Sequence, residues 1–149
     1  MKGYAAREET AIDEYSEAQP RIFTLEEARE ALPAIQHLFA RFDRARAAAA
    51  EIADALQALE DRRTRANTLE LARPLRERRE ALGEQVELMR SAVRAVLDMG
   101  VEIKRLDPAL IDFRSFRHGR VVYLCWQEGE DTIRYWHDMD AGFAGRRPL

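Results

Sequence analysis

Several things are scarce in this chain of 149 residues, and each scarcity excludes something. There is one cysteine, Cys125, so no internal disulfide can form, and a lone thiol suits a reducing cytosol. No apolar run approaches the ~20 residues that a membrane span requires, and the first residues lack the apolar core of a secretion signal. Positive charge is not in excess: the net charge is −3 and the isoelectric point about 5.7, so no global field draws in nucleic acid. Lysine is almost missing, since of 24 basic residues only Lys2 and Lys104 are Lys. The remaining arginines fall mostly on helix surfaces, which reads as a coding bias. Around Arg62, Arg63, Arg65, Arg73, Arg76, Arg78 and Arg79 the basic side chains are interleaved with Glu60, Asp61, Glu70, Glu77 and Glu80. That pattern is a solvated helix surface rather than a nucleic-acid footprint.

What is present is 46% hydrophobic and 34% charged residues, the balance of a folded domain with long amphipathic helices. The length fits one domain with a real core. Residues 1–21 show no sustained period and are expected to form a mobile arm, leaving 22–149 as a single α+β domain. Thr24 followed by Glu27 is a capping box, so a helix starts there. Pro33 is expected to break it and a long helix to restart beyond. Ala28, Leu32, Ile35, Phe39, Phe42, Ala45, Ala49, Ile52 and Leu56 form one apolar seam at helical spacing. Residues 61–68 have no apolar face and read as a turn. A second helix carries Leu71, Leu75, Leu82, Val86, Met89, Val93 and Val96, and Gly100 is placed to stop it. Residues 22–100 therefore predict an antiparallel helical hairpin. Its arms, about 40 Å long, exceed what a domain of this size needs, which points to a projecting hairpin or to homo-oligomerisation through the helices; the seams fit a hairpin closing on itself equally well.

After Gly100 the period becomes strand-like, and 101–149 predict a small sheet with a C-terminal loop. Val101–Lys104 is a short strand or a lead-in. Leu110–Phe116 and Arg120–Trp126 alternate around His118-Gly119, a two-residue hairpin loop, and Thr132–His137 follows as a third strand. The expectation is a three-stranded antiparallel meander whose face of Ile111, Phe113, Val122, Leu124 and Trp126 lies on the helices.

Certain words in this stretch form a pattern. Phe23-Thr24-x-x-Glu27-Ala28 with Leu32-Pro33 opens it; Asp112-Phe113, Leu124-Cys125-Trp126-x-x-Gly129-Glu130, Tyr135-Trp136-His137-Asp138 and Gly142-Phe143-x-Gly145-Arg146 close it. From about Ile22 to Leu149 the chain resembles the small bacterial family catalogued as domain of unknown function 2203. The resemblance implies a small bacterial cytoplasmic protein and puts weight on these words; it implies no reaction.

The sharpest chemistry is a divalent transition metal, zinc, iron, manganese or cobalt, held by imidazole and carboxylates. His137 is the leading ligand, with Asp138, Glu130 and Asp112 next; no organic cofactor is indicated. Glu130 and His137 on one extended strand would lie roughly 20 Å apart, so two subsites follow. One gathers Asp112, Cys125, Glu128 and Glu130, since a His118-Gly119 turn places Asp112 opposite Cys125; the other gathers His137, Asp138, Asp140 and His118. The face that His137 occupies depends on strand register: an even loop puts it with Phe113 and Leu124, an odd one with Asp112. Structural readings stand beside these. His137 can be a hydrogen-bonded core histidine, Cys125 a packing residue, and Asp112 can be neutralised across the strands by Arg114 or Arg134. The alternative from a different class is a metal-free interaction module acting through its helices. No small-molecule substrate can be named.

Overall fold

The computed structural model describes residues 20–66 and 69–149. The expected N-terminal arm lies outside the described residues except for Pro20 and Arg21, as do Asn67 and Thr68 of the expected interhelical turn. The chain divides into two compact units: Met1–Leu38 with Arg94–Leu149, and Phe39–Val93.

Helix α1 (Leu25–Ala66) starts in the first unit, at the capping box. The Thr24 amide donates to Glu27 Oε2 at 2.8 Å and the Glu27 amide donates to Thr24 Oγ1 at 3.1 Å. Pro33 does not break it, so the expected interruption is corrected to one continuous helix of 42 residues. The missing N–H costs about 3 kcal/mol. Burial opposes that cost on both sides of the proline, where Ala28, Leu32 and Ile35 are almost wholly enclosed; a buried Leu or Ile contributes about 1.5–3 kcal/mol.

Helix α2 (Ala72–Asp98) ends in the same unit. Gly100 stops it at φ 85°, and a Cβ there would lie 2.7 Å from Arg21 Cβ, so both conformation and space require glycine.

The sheet has five strands, not three: β1 (Glu102–Leu106), β2 (Ala109–Arg117), β3 (Arg120–Gln127), β4 (Tyr135–Asp138) and β5 (Arg147–Pro148), in that order and each antiparallel to its neighbours. The two added strands are the edges. They are short and weakly patterned, recruited by the unpaired ladder groups of β2 and β4 rather than by their own propensity. His118 and Gly119 have φ 53° and 75°, the two positive values that a tight hairpin turn needs. Strand β4 starts at Tyr135 rather than Thr132, because Ile133 turns into the core and its carbonyl accepts from Arg29 Nη2 at 2.9 Å.

Alternation then sorts the side chains. Ile111, Phe113, Ser115, Val122, Leu124, Trp126 and Trp136 share one face. That face meets the start of α1: Phe23 packs edge-on against Phe113 at 5.1 Å, and Ser115 Oγ donates to the Phe23 carbonyl at 2.6 Å. The opposite face carries Asp112, Arg114, Tyr123, Cys125, Tyr135 and His137.

In the unit Phe39–Val93, residues 61–66 are the exposed last turns of α1, not the expected turn, and a 3-10 turn at Leu69–Leu71 precedes α2. Polar residues with good helix propensity, arginine above all, extend a helix into solvent without needing an apolar face. Arg79 Nη2 meets Glu60 Oε1 at 2.7 Å. Phe39, Phe42, Ala45, Leu75, Ala92 and Val93 are buried, whereas Ile52, Leu56, Leu82, Val86 and Met89 are only half-buried. Among the described residues no helix is long and apolar enough to cross a membrane.

Candidate metal centre

Three strands place one residue each in a buried cluster on the sheet face away from α1. Asp112 of β2 stands directly opposite Cys125 of β3, and Cys125 opposite Tyr135 of β4; two residues along β4, His137 stands opposite Tyr123. One potential ligand atom from each of Asp112, Cys125 and His137 lies within 4.8 Å of the others. The three residues are 3%, 1% and 2% exposed. A tetrahedral ion with bonds of about 2.0–2.3 Å needs its ligand atoms roughly 3.3–3.8 Å apart, so small side-chain shifts would suffice.

The proton count at His137 gives the cluster its character. Nδ1 lies 2.8 Å from the Asp138 carbonyl oxygen, which can only accept, so Nδ1 carries a hydrogen. A neutral imidazole then presents the Nε2 lone pair to the Asp112 carboxylate, 3.1 Å from Oδ1 and 3.2 Å from Oδ2. A lone pair facing a carboxylate needs a proton or a cation to join them. Metal-binding histidines are commonly oriented in this way, with the far nitrogen donating to a carbonyl.

Burial favours the neutral forms of the acids in this cluster. Burial raises the Asp112 carboxyl above its ordinary value, although His137, the Cys125 thiol and Lys104 act in the opposite sense. Burial, then the Asp112 charge and hydrogen bond, push the Cys125 thiol far up, so it stays protonated in the absence of a cation. This is the reverse of an activated cysteine nucleophile.

Two flanks close over the cluster. On one, Glu102 of β1 accepts from Arg114 Nε at 2.7 Å, the Tyr123 hydroxyl at 2.9 Å and Lys104 Nζ at 3.1 Å. Lys104 is the extra residue of a bulge between Ile103 and Arg105, and its ammonium sits 4.7 Å from the Tyr123 ring centroid. The Tyr123 ring in turn lies 5.3 Å from the His137 ring. On the other flank Arg146 Nη2 donates to both Glu130 oxygens at 2.6 and 2.7 Å, and reaches the Cys125 carbonyl oxygen at 3.4 Å.

The structure thus brings together Asp112 and His137 from the two separate subsites read in the sequence, because β4 takes the register that puts His137 on the Asp112 face. Glu130 is held by Arg146 and by the Gln127 amide. The Asp138 carboxylate pairs with Arg120 at 2.6 Å, on the other side of the strand from His137. Glu128 accepts from the Ala109 amide. Arg114 and Arg134, expected as partners of Asp112, pair instead with Glu102 and Asp131. His118 packs at 5.7 Å from Trp136. Sequence reasoning overlooked Glu102 and Tyr123, and it singled out Arg146 only within the word Gly142-Phe143-x-Gly145-Arg146, without its partners. Counting by twos from the Asp112–Cys125 pair reaches Tyr123, but nothing local announces that residue 146 returns to strand β3.

A family model described as "Uncharacterized conserved protein (DUF2203)" matches residues 21–149. No curated protein and no solved structure matches the chain.

Proposed function

Because the chain belongs to the DUF2203 family, whose description carries no activity, we propose a function from its own side chains: it binds one divalent transition metal through Asp112, Cys125 and His137. The observation that supports this most is the buried convergence of His137 Nε2 on the Asp112 carboxyl oxygens, at 3.1 and 3.2 Å, with a thiol on the next strand. The proposal keeps His137 and Asp112 from the four ligands expected in the sequence and adds Cys125. Asp138 serves through its carbonyl, which orients the imidazole, and Glu130 serves by holding Arg146. A thiolate in the set favours zinc, iron or cobalt over manganese. With three protein ligands a fourth position remains, where the ion would supply Lewis acidity to a bound group.

The test is metal content by elemental mass spectrometry on protein purified without added metal. Wild type is expected to retain near-stoichiometric metal, and His137→Ala and Asp112→Asn to lose it, while Glu130→Gln keeps it. Failure of wild type to bind zinc, iron, manganese or cobalt after incubation would overturn the reading.

A second reading is a metal-free interaction module in the cytoplasm that self-associates through a helical hairpin. The half-buried seam of Ile52, Leu56, Leu82, Val86 and Met89 favours it, since two helices of a single chain leave that seam partly exposed. Multi-angle light scattering decides it: a dimer or higher species supports assembly, and a monomer at high concentration removes it.

A further inference from the structure

We infer that Met139–Leu149 is a releasable strap over the Cys125 side of the cluster, with the Arg146–Glu130 pair as its clasp; its role as the door for an ion rests on the metal reading above. Three observations carry this. First, no residue from Met139 to Leu149 is buried, and Met139 and Phe143 are 43% and 44% exposed, so little apolar area resists lifting the segment. Second, its ladder to the sheet is only two residues long, Tyr135↔Pro148 and Trp136↔Arg147, with one further bond from the Leu149 amide to the Arg134 carbonyl. Third, what anchors it is Arg146, whose side chain is 12% exposed. The guanidinium lies 4.1 Å from the Tyr135 ring centroid and 4.8 Å from that of Phe143, grips both Glu130 oxygens and touches the Cys125 carbonyl.

Tyr135 is the cross-strand partner of Cys125 and shares its face, so Arg146 covers the flank from which the thiol would be reached. The clasp is also incompletely satisfied: Arg146 Nε is buried and has no hydrogen-bond partner among the described residues. A buried donor without a partner lowers the cost of opening, because water satisfies it once the strap lifts. The opposite flank, with Glu102, Lys104, Arg114 and Tyr123, draws on strands β1, β2 and β3, which are paired along most of their length. Opening there would break two long ladders; opening at Arg146 breaks the clasp, a two-residue ladder and the exposed contacts of Arg147 with Asp138 and Trp136.

Cys125 is the only thiol in the chain, so its reaction with an aromatic disulfide reagent reports this opening without reference to a metal. In chelator-treated full-length wild type, labelling is expected to be slow and to depend weakly on urea below the unfolding transition, the mark of a local opening. Arg146→Ala is expected to label roughly tenfold faster, as removal of a charge-assisted pair would give. Arg146→Lys, which keeps the charge but loses the planar guanidinium stacked by Tyr135 and Phe143, should fall between. Wild-type labelling with the full urea dependence of global unfolding would overturn the strap, and so would Arg146→Ala labelling at the wild-type rate. If Arg146→Ala does not fold, the wild-type urea dependence and Arg146→Lys decide alone. Added zinc separates the two readings. Acceleration by Arg146→Ala with no protection of Cys125 by zinc would sink the metal reading and leave the strap as a cover on a metal-free cluster. Protection by zinc without acceleration would sink the strap and leave the metal reading standing.

Discussion

Asp112 and His137 are worth more to the fold together than either is alone. Removing the imidazole leaves a buried carboxyl facing an empty space, so His137→Ala should cost about 1–3 kcal/mol in the metal-free protein, read as a lower urea midpoint. Asp112→Asn keeps the shape and offers a neutral donor or acceptor to Nε2, so it should cost less while still removing metal. Unequal stability losses with equal metal loss would separate the two roles; equal stability losses would contradict the hydrogen-bond account. Glu102 gives the pH dependence. Burial opposes its charge, but Arg114, Lys104 and Tyr123 together outweigh that and lower its pKa. For an acid lowered on folding, the stabilisation is present above the unfolded value and is lost as pH falls through the folded one. Wild type should therefore lose stability on acidification below about pH 4.5 more steeply than Glu102→Gln. Parallel acid titrations of the two proteins would refute this.

At the scale of elements, the helix ends make the firmest predictions. Thr24→Ala removes the acceptor for the Glu27 amide at the start of α1 and should cost about 1 kcal/mol. Gly100→Ala demands φ 85° of a residue with a Cβ and drives that carbon against Arg21. The conformation alone costs about 1–2 kcal/mol, so thermal denaturation should show a larger loss than for Thr24→Ala. Both ends were readable because capping and stop signals are local: a hydroxyl with an acid three residues on, and a glycine after the last periodic residue. Continuity through Pro33 was not readable. The energy that overrides the proline comes from Ala28, Leu32 and Ile35 burying against distant chain, which no local window contains. Of the edge strands, β1 was read only as a short strand or a lead-in at Val101–Lys104 and β5 was hidden for the same reason, since both exist by pairing with neighbours rather than by pattern.

At the scale of the molecule, a ligand that binds only the folded state stabilises it by mass action, by about 2.7 kcal/mol at a hundredfold excess over its dissociation constant. Zinc should therefore raise the melting temperature of wild type and leave that of His137→Ala unchanged. Hydrogen exchange should slow chiefly in β2, β3 and β4 and less in the unit Phe39–Val93, which contributes no residue to the cluster. Uniform slowing throughout both units would place the bound ion elsewhere. Assembly is tested at positions the monomer leaves open. Ile35 and Phe39 are buried, so charges there would unfold the chain; Leu56→Glu or Leu82→Glu would disrupt association while sparing those core positions.

From sequence alone came the α+β class, the seams, the caps, the His118-Gly119 turn, and the opposition of Asp112 to Cys125. Each follows from a short-range rule: a period of 3.6 or of two, or a turn that needs two positive φ angles. Sequence also pointed to carboxylates and His137 as candidate metal ligands, but divided them between two ends of the sheet. Only the tertiary structure joined Asp112 to His137, because the register of β4 depends on a long loop whose anchor, Ile133, is set by Arg29 of α1. A shift of one residue would have turned His137 toward Phe113 and Leu124. Arg146 likewise reaches Cys125 and Glu130 only through the fold of the tail, a contact between residues far apart in the chain that no spacing rule encodes.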